Sequence, residues 1–421
     1  MNRSLRNEIV GIGAALALAM PGVVVAEDQT SGAPNDWLTR YTGARTVGLG
    51  SAYVAAADAP IGVVWNPATI GLLDQNELLL ESSRLFEDTS VHGLSFAVPG
   101  RWLPSLGFSV VMLRSGEFEK TNDLNESLGT FEDGETAFLF TAAKHIGTRF
   151  ALGGNFKIVR QSIEDFTASG FGVDLGGLVN VTPKLRLGMS IQNVAGPNLK
   201  LRQAEETYPV ELRGGAALRL LGGRGLLAVE FDRAGDAPVR MHTGAEYWLQ
   251  KSMGLRVGYD DGYAAGGMSY RVTPQLQLDY GVSDHALGLV HRGGISYRFG
   301  GFFAGAHALP LVFSPTGDQP VTRVSMQAHT KAEVDHWTLQ FADKSDAIVR
   351  QFGGKGTPPT QVLWDGKDAN GMPLPDGPYR YQFVVYDREG RILSDATHAV
   401  EISTAGPQGA VPVEVKSADQ R

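Results

Sequence analysis

Apolar and polar residues alternate along most of the chain between Asn76 and Phe299. A period of two places successive side chains on opposite faces of a β-sheet. In the segment 275–283, for example, the alternation predicts Leu278 on one face and Asp279 on the other. Almost no helical pattern is present in this region to supply a second layer for a soluble core. The pattern therefore predicts an all-β fold.

Fourteen alternating runs follow one another, most of them nine to twelve residues long. Their predicted bounds are 76–84, 90–98, 104–113, 136–144, 149–160, 169–181, 184–194, 208–220, 225–232, 239–249, 252–260, 264–272, 275–283 and 288–299. An even number of strands of this length predicts a 14-stranded antiparallel transmembrane β-barrel over residues 75–300. The alternation alone also fits a soluble β-sandwich or a propeller.

The connections between the runs fall into two groups. Tight turns, such as Thr182-Pro183 and Gln250-Lys251, alternate with longer loops, such as 115–135 and 195–207. Short turns on one side and longer loops on the other are typical of outer-membrane barrels, in which the short turns face the periplasm. If the first strand runs outward, both ends of the barrel region are periplasmic, and the acidic loop 115–135 is extracellular.

The first 26 residues have the pattern of a secretory signal peptide. Arg3 and Arg6 precede an apolar stretch over 12–25, and small residues at Val24-Val25-Ala26 offer a cleavage site. This pattern favours a cleaved leader over an N-terminal anchor. We therefore expect a chain that leaves the cytoplasm of a bacterium.

Composition excludes several other classes of protein. The net charge of −8 argues against nucleic acid as a partner. The absence of cysteine excludes a disulfide scaffold and cysteine catalysis. After the leader no run of 18 apolar residues occurs, which excludes a multi-helix membrane protein. Neither a metal-binding HExxH nor a GxSxG or phosphate-loop motif is present, so we expect no enzyme activity, metal or cofactor. The nine histidines are scattered, and His242 and His291 are interpreted as strand-surface residues.

The face predicted to line the barrel carries many charged residues. They are Lys157, Asp174, Arg186, Glu211, Arg213, Glu230, Glu246, Arg256, Arg271, Asp279, Arg292 and Arg298, and the six chosen as candidate site residues are Lys157, Asp174, Arg213, Glu246, Arg256 and Asp279. Polar lumens are normal in such barrels, and we expect these charges to pair and to hold a plug. A specific anion pathway is the alternative interpretation.

The segment ahead of the strands is rich in glycine and alanine. It reads GARTVGLGSAYVAAADAPIGVVWNPATIGLL over Gly43–Leu73, and its marked positions are Gly43, Arg45, Gly48, Gly50, Trp65, Asn66 and Pro67. With NFKI at 155–158 and SIQNV at 190–194, it resembles the opening of the FadL superfamily of outer-membrane barrels, in its PorV/PorQ-like branch. The resemblance implies a fourteen-stranded barrel whose N-terminal segment, here 27–74, folds inside as a plug. A short helix covering the periplasmic mouth is the alternative.

The last predicted strand ends in aromatic residues. Gly294, Tyr297 and Phe299 follow a pattern that resembles the terminal-strand signal read by the barrel-assembly machinery. Here the strand is internal, because the chain continues to Arg421.

The remainder of the chain is predicted to form a separate module. After a linker over 301–311, residues 312–403 resemble the FlgD-like Ig-like domain through FSPTGD at 313–318 and VLWDGKDANGMPLPDGPYRYQFVVYDREG at 362–390. This implies a small β-sandwich, followed by a disordered tail over 404–421. Asp365, Asp368 and Asn370 are interpreted as a structural turn, with a calcium loop as the alternative, since their spacing is not that of an EF-hand.

Two functions follow from the resemblance. The first is a PorV-like component that binds or shuttles secreted proteins in a type IX-like secretion apparatus, which the extra periplasmic module favours. The second is a FadL-like transporter of hydrophobic small molecules. The short extracellular loops depart from FadL transporters and leave little material for a surface ligand site. Outer-membrane lipid is the expected environment in either case.

Overall fold

The computed structural model describes residues 36–404, except 87, 148, 202, 203 and 396. The predicted signal peptide and residues 405–421 of the predicted tail therefore lie outside the described residues. The chain divides into two compact units, the first ending at Phe299 and the second beginning at Gly300. No helix within the described ranges is long and apolar enough to cross a membrane.

The first unit contains a closed antiparallel barrel of fourteen strands, which confirms the predicted fold class and excludes a sandwich or propeller for this region. In chain order the strands of this unit are β1 (Asn76–Arg84), β2 (Ser90–Val98), β3 (Ser105–Arg114), β4 (Phe118–Thr121), β5 (Ser127–Phe131), β6 (Asp133–Ile146), β7 (Phe150–Ile163), β8 (Phe166–Asn180), β9 (Leu185–Ala195), β10 (Asn198–Leu201), β11 (Ala204–Thr207), β12 (Glu211–Leu220), β13 (Gly225–Ala234), β14 (Arg240–Trp248), β15 (Met253–Asp260), β16 (Tyr263–Arg271), β17 (Leu276–Ser283) and β18 (Val290–Phe299). Strand β18 pairs with β1, from Asn76 opposite Phe299 to Arg84 opposite His291, and this pairing closes the barrel.

The two longest predicted loops contain structure that the alternation did not reveal. Strands β4 and β5 form one hairpin and β10 and β11 another, both outside the path of the barrel. The rings of Phe118 and Phe131 lie 5.6 Å apart across the first hairpin. Strands β6, β7 and β8 are 14 to 15 residues long and extend beyond their predicted bounds. These hairpins and long strands give the loop end of the barrel an ordered extension.

The two faces of the barrel wall differ as the period of two requires. Leu278 is 40% exposed on the outer face, whereas Asp279 is 9% exposed on the inner face. Large apolar side chains are exposed around the outside on every side of the barrel, among them Leu80, Leu106, Phe140, Phe171, Met189, Leu212, Phe231, Leu255, Tyr270 and Ile295. A continuous apolar belt of this kind is the surface that hydrocarbon covers and water does not. The unit is an integral outer-membrane β-barrel.

The N-terminal segment lies inside the barrel. It consists of helices α1 (Asp36–Arg40) and α2 (Ala44–Gly48) and of two short 3₁₀ helices, Pro60–Val64 and Pro67–Leu72. Helix α2 packs against β15 to β18, while the second 3₁₀ helix packs against β3 and β6 to β8. Because these strands belong to different sides of the wall, the segment spans the lumen. We call residues 36–73 the plug.

The second unit is a β-sandwich. Its strands are β19 (Phe303–Leu309), β20 (Val312–Phe313), β21 (Thr322–His329), β22 (Val334–Ala342), β23 (Ile348–Lys355), β24 (Gln361–Trp364), β25 (Gly377–Asp387), β26 (Ile392–Ser394) and β27 (His398–Ile402). One sheet has the order β19-β21-β24 and the other the order β20-β27-β25-β22-β23, with β26 on β25. Side chains of both sheets share one core, in which the rings of Phe341 and Trp364 stack 4.1 Å apart. The Ig-like assignment of this sandwich stays a prediction.

The predicted linker over 301–311 is wrong for most of its length. Residues 303–309 form β19, which pairs with β21 from Phe303 opposite His329 to Leu309 opposite Arg323. Ala304, Ala306 and Ala308 are the buried positions of this strand. Alanine is only weakly apolar, so the sequence of this strand shows little alternation between apolar and polar residues. Three residues, Gly300, Gly301 and Phe302, separate β18 from the sandwich, and both glycines have positive φ.

Candidate functional site

The charged side of the lumen is formed by β12 to β18. Nine buried charged or titratable residues point inward from these strands: Glu211, Arg213, Glu230, Asp232, His242, Glu246, Arg256, Asp279 and Arg292. Charged groups are rarely buried unless they are paired, because removal from water is costly. The hydrogen-bond and ion-pair partners of these residues therefore show which parts of the plug the wall holds in place.

The first network joins Arg45 of the plug to three strands. The Arg45 guanidinium donates to both carboxylate oxygens of Glu246, at 3.0 and 3.1 Å, and also pairs with Asp58 of the plug. Arg256 donates to Glu246 at 2.7 Å and to Asp279 at 2.9 Å. A fork of two parallel bonds between a guanidinium and a carboxylate is both strong and directional. This network fixes helix α2 against β14, β15 and β17.

The second network is centred on Glu230 of β13, whose side chain is fully buried. One carboxylate oxygen accepts hydrogen bonds from the backbone N–H groups of Tyr53 and Val54, both at 2.7 Å. The other accepts from Arg213 at 2.8 Å, and Arg213 donates to Glu211 at 2.5 Å. Glu230 therefore ties the backbone of the plug directly to the wall.

His242 is buried between the carboxylates of Asp232 and Asp260, not on the strand surface as predicted. Its Nε2 is 2.5 Å from Asp232, and its Nδ1 is 2.8 Å from Asp260. Asp260 in turn accepts a hydrogen bond from the Ser51 hydroxyl of the plug at 2.7 Å. A polar cavity of about 20 Å³ borders His242 and Asp260 and is also lined by Arg240. His291, by contrast, is exposed on β18 as expected and lies 2.7 Å from the Tyr280 hydroxyl.

A smaller polar cluster holds the opposite part of the plug. Lys157 and Asp174 form a buried ion pair at 2.7 Å. The Asn155 amide donates to Asp174 at 3.2 Å and to the Val63 carbonyl at 2.9 Å. The structure thus brings Lys157 and Asp174 together, but far along the wall from the Arg45 network. The six candidate lumen residues consequently form three separate clusters and not one site.

Asn66 joins two parts of the plug to each other and to the wall. Its backbone is extended, with φ −153° and ψ 109°, as a residue before proline prefers. Its amide donates to the carbonyl oxygens of Val54 and Gly177 at 3.0 and 3.1 Å, and its side-chain oxygen accepts from Ala68 N–H at 3.0 Å. One side chain therefore caps the Pro67–Leu72 helix and joins two parts of the plug to β8. The neighbouring Trp65 is fully buried, edge-on to Tyr53 at 5.7 Å.

Glycines in the wall let the plug backbone lie directly on the strands. A Cβ added at Gly258 would come 2.1 Å from Gly50 N, and one at Gly244 would come 2.3 Å from the Leu49 carbonyl oxygen. The same holds for Gly188 against Val54 and for Gly281 against Ala44. Gly50 itself has φ +59°, a conformation that glycine adopts without strain. These wall glycines are among the 53 glycines of the chain, and composition alone does not identify their partners.

The other side of the lumen carries apolar side chains between buried polar ones such as Ser95, Ser109 and Asn155. Leu79, Val91, Val111, Leu139 and Val159 point inward from β1, β2, β3, β6 and β7 and are almost completely buried. They belong to one cluster of contacting residues with Ile61, Val63 and Ile70 of the plug. The cluster runs from Leu199 and Tyr208 near the hairpin end to Leu73 and Ala143 near the tight-turn end. We call this cluster the apolar seam; it extends along the length of the lumen, and buried polar side chains such as Ser95 and Ser109 lie beside it on the same wall.

The remaining predicted positions lie apart from these clusters. Arg271 stacks 3.8 Å from the Trp248 ring at the tight-turn end, and Arg298 donates to Glu77 at 3.1 Å. Tyr297 and Phe299 are exposed on the outer face, whereas Gly294 is buried on the inner face. Gly43 precedes α2 with φ +84°, and a Cβ at Gly48 would lie 3.3 Å from Gly267 Cα.

The Asp365–Asn370 turn of the sandwich is held by its own backbone. Asp368 accepts hydrogen bonds from the N–H groups of Asn370 and Met372, both at 2.8 Å. The Met372 N–H, more than any other neighbour, holds the pKa of Asp368 below its usual range. Among the residues that the structure describes, no group of three or more His, Asp or Glu residues is placed to hold a metal ion.

Several solved structures of outer-membrane channels are similar to the barrel. The CymD monoaromatic hydrocarbon channel is 14% identical over 62% of this chain and 98% of its own, with a TM-score of 0.49. A Pseudomonas aeruginosa FadL homologue is 11% identical over 62% and 99%, with a TM-score of 0.46. The Pseudomonas putida toluene transporter TodX is 11% identical over 59% and 95%, with a TM-score of 0.44. No protein-family model and no curated protein sequence matches the chain.

Proposed function

We propose that the protein passes small hydrophobic molecules across the outer membrane, along the apolar seam between the plug and the wall. The seam is the observation that carries this proposal, because its residues contact one another from the hairpin end of the lumen to the tight-turn end. The opposite wall is held by buried ion pairs, which are costly to separate. The plug is therefore anchored by ion pairs on its charged side, whereas its polar contacts on the other side, such as Asn155 with the Val63 carbonyl, are neutral hydrogen bonds that an apolar solute can displace without separating a charge pair.

This proposal corresponds to the transporter alternative of the sequence analysis and gives it a route. When an apolar solute enters between the plug and the wall, their apolar side chains lose contact with each other but gain contact with the solute. These surfaces therefore stay out of water, and little hydrophobic free energy is lost. A displaced ion pair has no such compensation. We expect molecules with few polar atoms to pass, and ions and sugars to be excluded by the closed charged side.

A disulfide lock tests the route, because the chain contains no cysteine and an introduced pair has no competitor. A Cβ at Gly71 lies 3.5 Å from the Ala143 Cβ, across the apolar seam. A Cβ at Gly294 lies 3.7 Å from the Ala44 Cβ, on the charged side. Both distances suit a disulfide. Gly71→Cys with Ala143→Cys is the test pair, and Ala44→Cys with Gly294→Cys is the control.

Uptake is measured in intact cells with an uncharged naphthylamine dye that fluoresces in phospholipid. Oxidation of the test pair should abolish the uptake that the protein confers, and a reductant should restore it. Oxidation of the control pair should leave uptake unchanged. Uptake that survives the test cross-link contradicts a route along the seam, and loss of uptake with both cross-links contradicts a plug anchored on its charged side.

A second function is favoured by the separate sandwich. A unit with its own core is not needed for passage through a barrel, and we propose a periplasmic location for it from the loop-length argument. In a PorV-like role it would bind secreted proteins or secretion components. A pull-down from outer membranes with the full chain and with a chain ending at Phe299 tests this role. Partners that depend on the sandwich support it, and equal recovery by both chains contradicts it.

A further inference from the structure

Charge is segregated between the two ends of the barrel. The tight turns after β2, β6, β8, β12 and β14 each carry one cation, and no tight turn carries Asp or Glu. These cations are Arg101, Arg149, Lys184, Arg224 and Lys251. Every connection at the opposite end of the barrel contains at least one Asp or Glu. The tight-turn end therefore attracts anions, because the potential at a protein surface follows the sum of its charges.

A small cavity lies at this end, between the plug and strands β8, β9, β12 and β13. Its volume is about 10 Å³, which is room for a single water-sized particle. Its charged lining residues are Lys184, Arg186 and Arg219, and no carboxylate lines it. Ala55 and Ala56 of the plug form its other side, so the cavity lies on the lumen side of the wall and does not face lipid.

Arg186 is half-buried beside this cavity, and its hydrogen-bond partners among the described residues are neutral. Its Nε donates to the side-chain oxygen of Asn180 at 3.1 Å, and its Nη1 donates to the Ala57 carbonyl oxygen of the plug at 3.4 Å. Asp58 is the one carboxylate with an appreciable electrostatic effect on Arg186, and Asp58 already pairs with Arg45. The positive charge of Arg186 therefore lacks a carboxylate in contact with it.

Arg219 places a second positive charge next to Arg186. Arg186 is opposite Ala217 in the register of β9 and β12, and Arg219 is the next inward residue along β12. Long side chains at such diagonal positions reach each other. The repulsion from Arg219 acts on Arg186 more strongly than the attraction of Asp58 does. Two like charges are thus held together where water is partly excluded, which is costly unless an ion of opposite charge joins them.

We propose that the cavity binds one monatomic anion, chloride, between Arg186 and Arg219. Chloride is close to water in size, accepts several N–H donors and carries the charge that the two guanidiniums lack. A phosphate ion is larger than this cavity admits. With the anion bound, Arg186 keeps its hydrogen bond to the Ala57 carbonyl, so chloride holds the plug at the tight-turn end of the lumen. This site is independent of the proposed passage.

The test is hydrogen exchange of the full chain in non-ionic detergent, with sodium chloride replaced stepwise by sodium gluconate. Gluconate is too large for the cavity, and constant ionic strength keeps general screening constant. Peptides that contain Ala55–Ala57 should exchange more slowly in chloride, and the effect should saturate. At ten times the half-saturating chloride concentration, exchange should be about tenfold slower than in gluconate alone. Bromide should replace chloride.

Two variants separate a chloride site from a structural role. Arg219→Gln removes both a ligand and the repulsion, so chloride should no longer slow exchange. In gluconate this variant should protect the plug at least as well as the native chain does, whereas a purely structural Arg219 predicts weaker protection. Arg224→Gln is the matched control. Its guanidinium lies at the same end but donates to the Trp248 and Leu249 carbonyls, so the chloride response should remain.

Three results would overturn the proposal. Equal exchange in chloride and gluconate excludes a site that holds the plug. Equal loss of the chloride response in Arg219→Gln and Arg224→Gln shows a general attraction to this end instead of a site. Anomalous scattering from crystals soaked in bromide should give a peak between Arg186 and Arg219, and a peak there without any effect on exchange shows an adventitious ion only. A heat-dependent shift in gel mobility establishes that the barrel of each variant is folded.

Discussion

Replacing Glu230 with glutamine should release the plug from the wall. The carboxylate accepts three hydrogen bonds, from Tyr53 N–H, Val54 N–H and the Arg213 guanidinium. Glutamine has one oxygen and one NH₂ group. In either orientation of the amide, the NH₂ group meets donors: the two backbone N–H groups or the guanidinium. At least one of these donor groups is therefore left without an acceptor.

The free-energy cost of Glu230→Gln follows from the burial of Glu230 and Arg213. Glu230 is fully buried and Arg213 is 3% exposed. Arg213 keeps its hydrogen bond to Glu211, so the cost is that of a buried donor left without an acceptor, about 1–3 kcal/mol. The strand ladder of the barrel is untouched, so the loss falls on the docking of the plug. A loss of this size raises the population of the undocked plug roughly five- to 160-fold.

Hydrogen exchange followed by mass spectrometry measures this population, because amide protection reports the free energy of local opening. Peptides that contain Tyr53 and Val54 should exchange faster in Glu230→Gln by that factor, while peptides of the barrel strands should not change. Glu126→Gln, in the exposed loop between β4 and β5, is the control and should leave exchange in the plug unaltered. Unchanged protection of the plug in Glu230→Gln would refute the reasoning.

Three further predictions concern the orientation and the surfaces of the two units. Leu278→Arg should cost about 2–4 kcal/mol of folding free energy in lipid vesicles, because it places a charge in hydrocarbon, whereas Leu278→Met should cost less than about 1.5 kcal/mol; equal costs would mean that β17 is in the other register. An epitope inserted beside Asn125 should be stained on intact cells, and staining only after permeabilisation would reverse the topology. Calcium should leave the melting temperature of the sandwich unchanged, because Asp368 already accepts two backbone hydrogen bonds; a rise of several degrees would support the calcium loop.

The barrel was predictable because its signal is local and repeated. A side chain such as Leu278 faces lipid and its neighbour Asp279 faces the lumen, and fourteen strands repeat this contrast. The signal fails where the alternating residues are small. Strand β19 was predicted as a linker because alanines occupy its buried positions.

The interior of the barrel was predictable in composition but not in arrangement. Charge at Arg213 and Glu246 was expected inside, yet the sequence does not show that Arg45 would meet Glu246, 201 residues away. Close approaches of backbones, such as Gly50 on Gly258, leave no trace in composition because they depend on tertiary geometry. The predicted surface position of His242 was wrong for the same reason, since its acidic neighbours come from β13 and β15. The apolar seam was also missed, although each of its inward residues is visible in its own strand.

Conductance in planar bilayers tests most directly the claim that the N-terminal segment closes the barrel. The intact chain should be almost silent to small ions, because the plug fills the lumen between β6 to β8 and β15 to β18. Deletion of Gly43–Leu73 should leave a folded barrel, since all fourteen strands remain, and should produce large, stable channels. Large channels in the intact chain that the deletion leaves unchanged would contradict the plug and would indicate an ordinary porin.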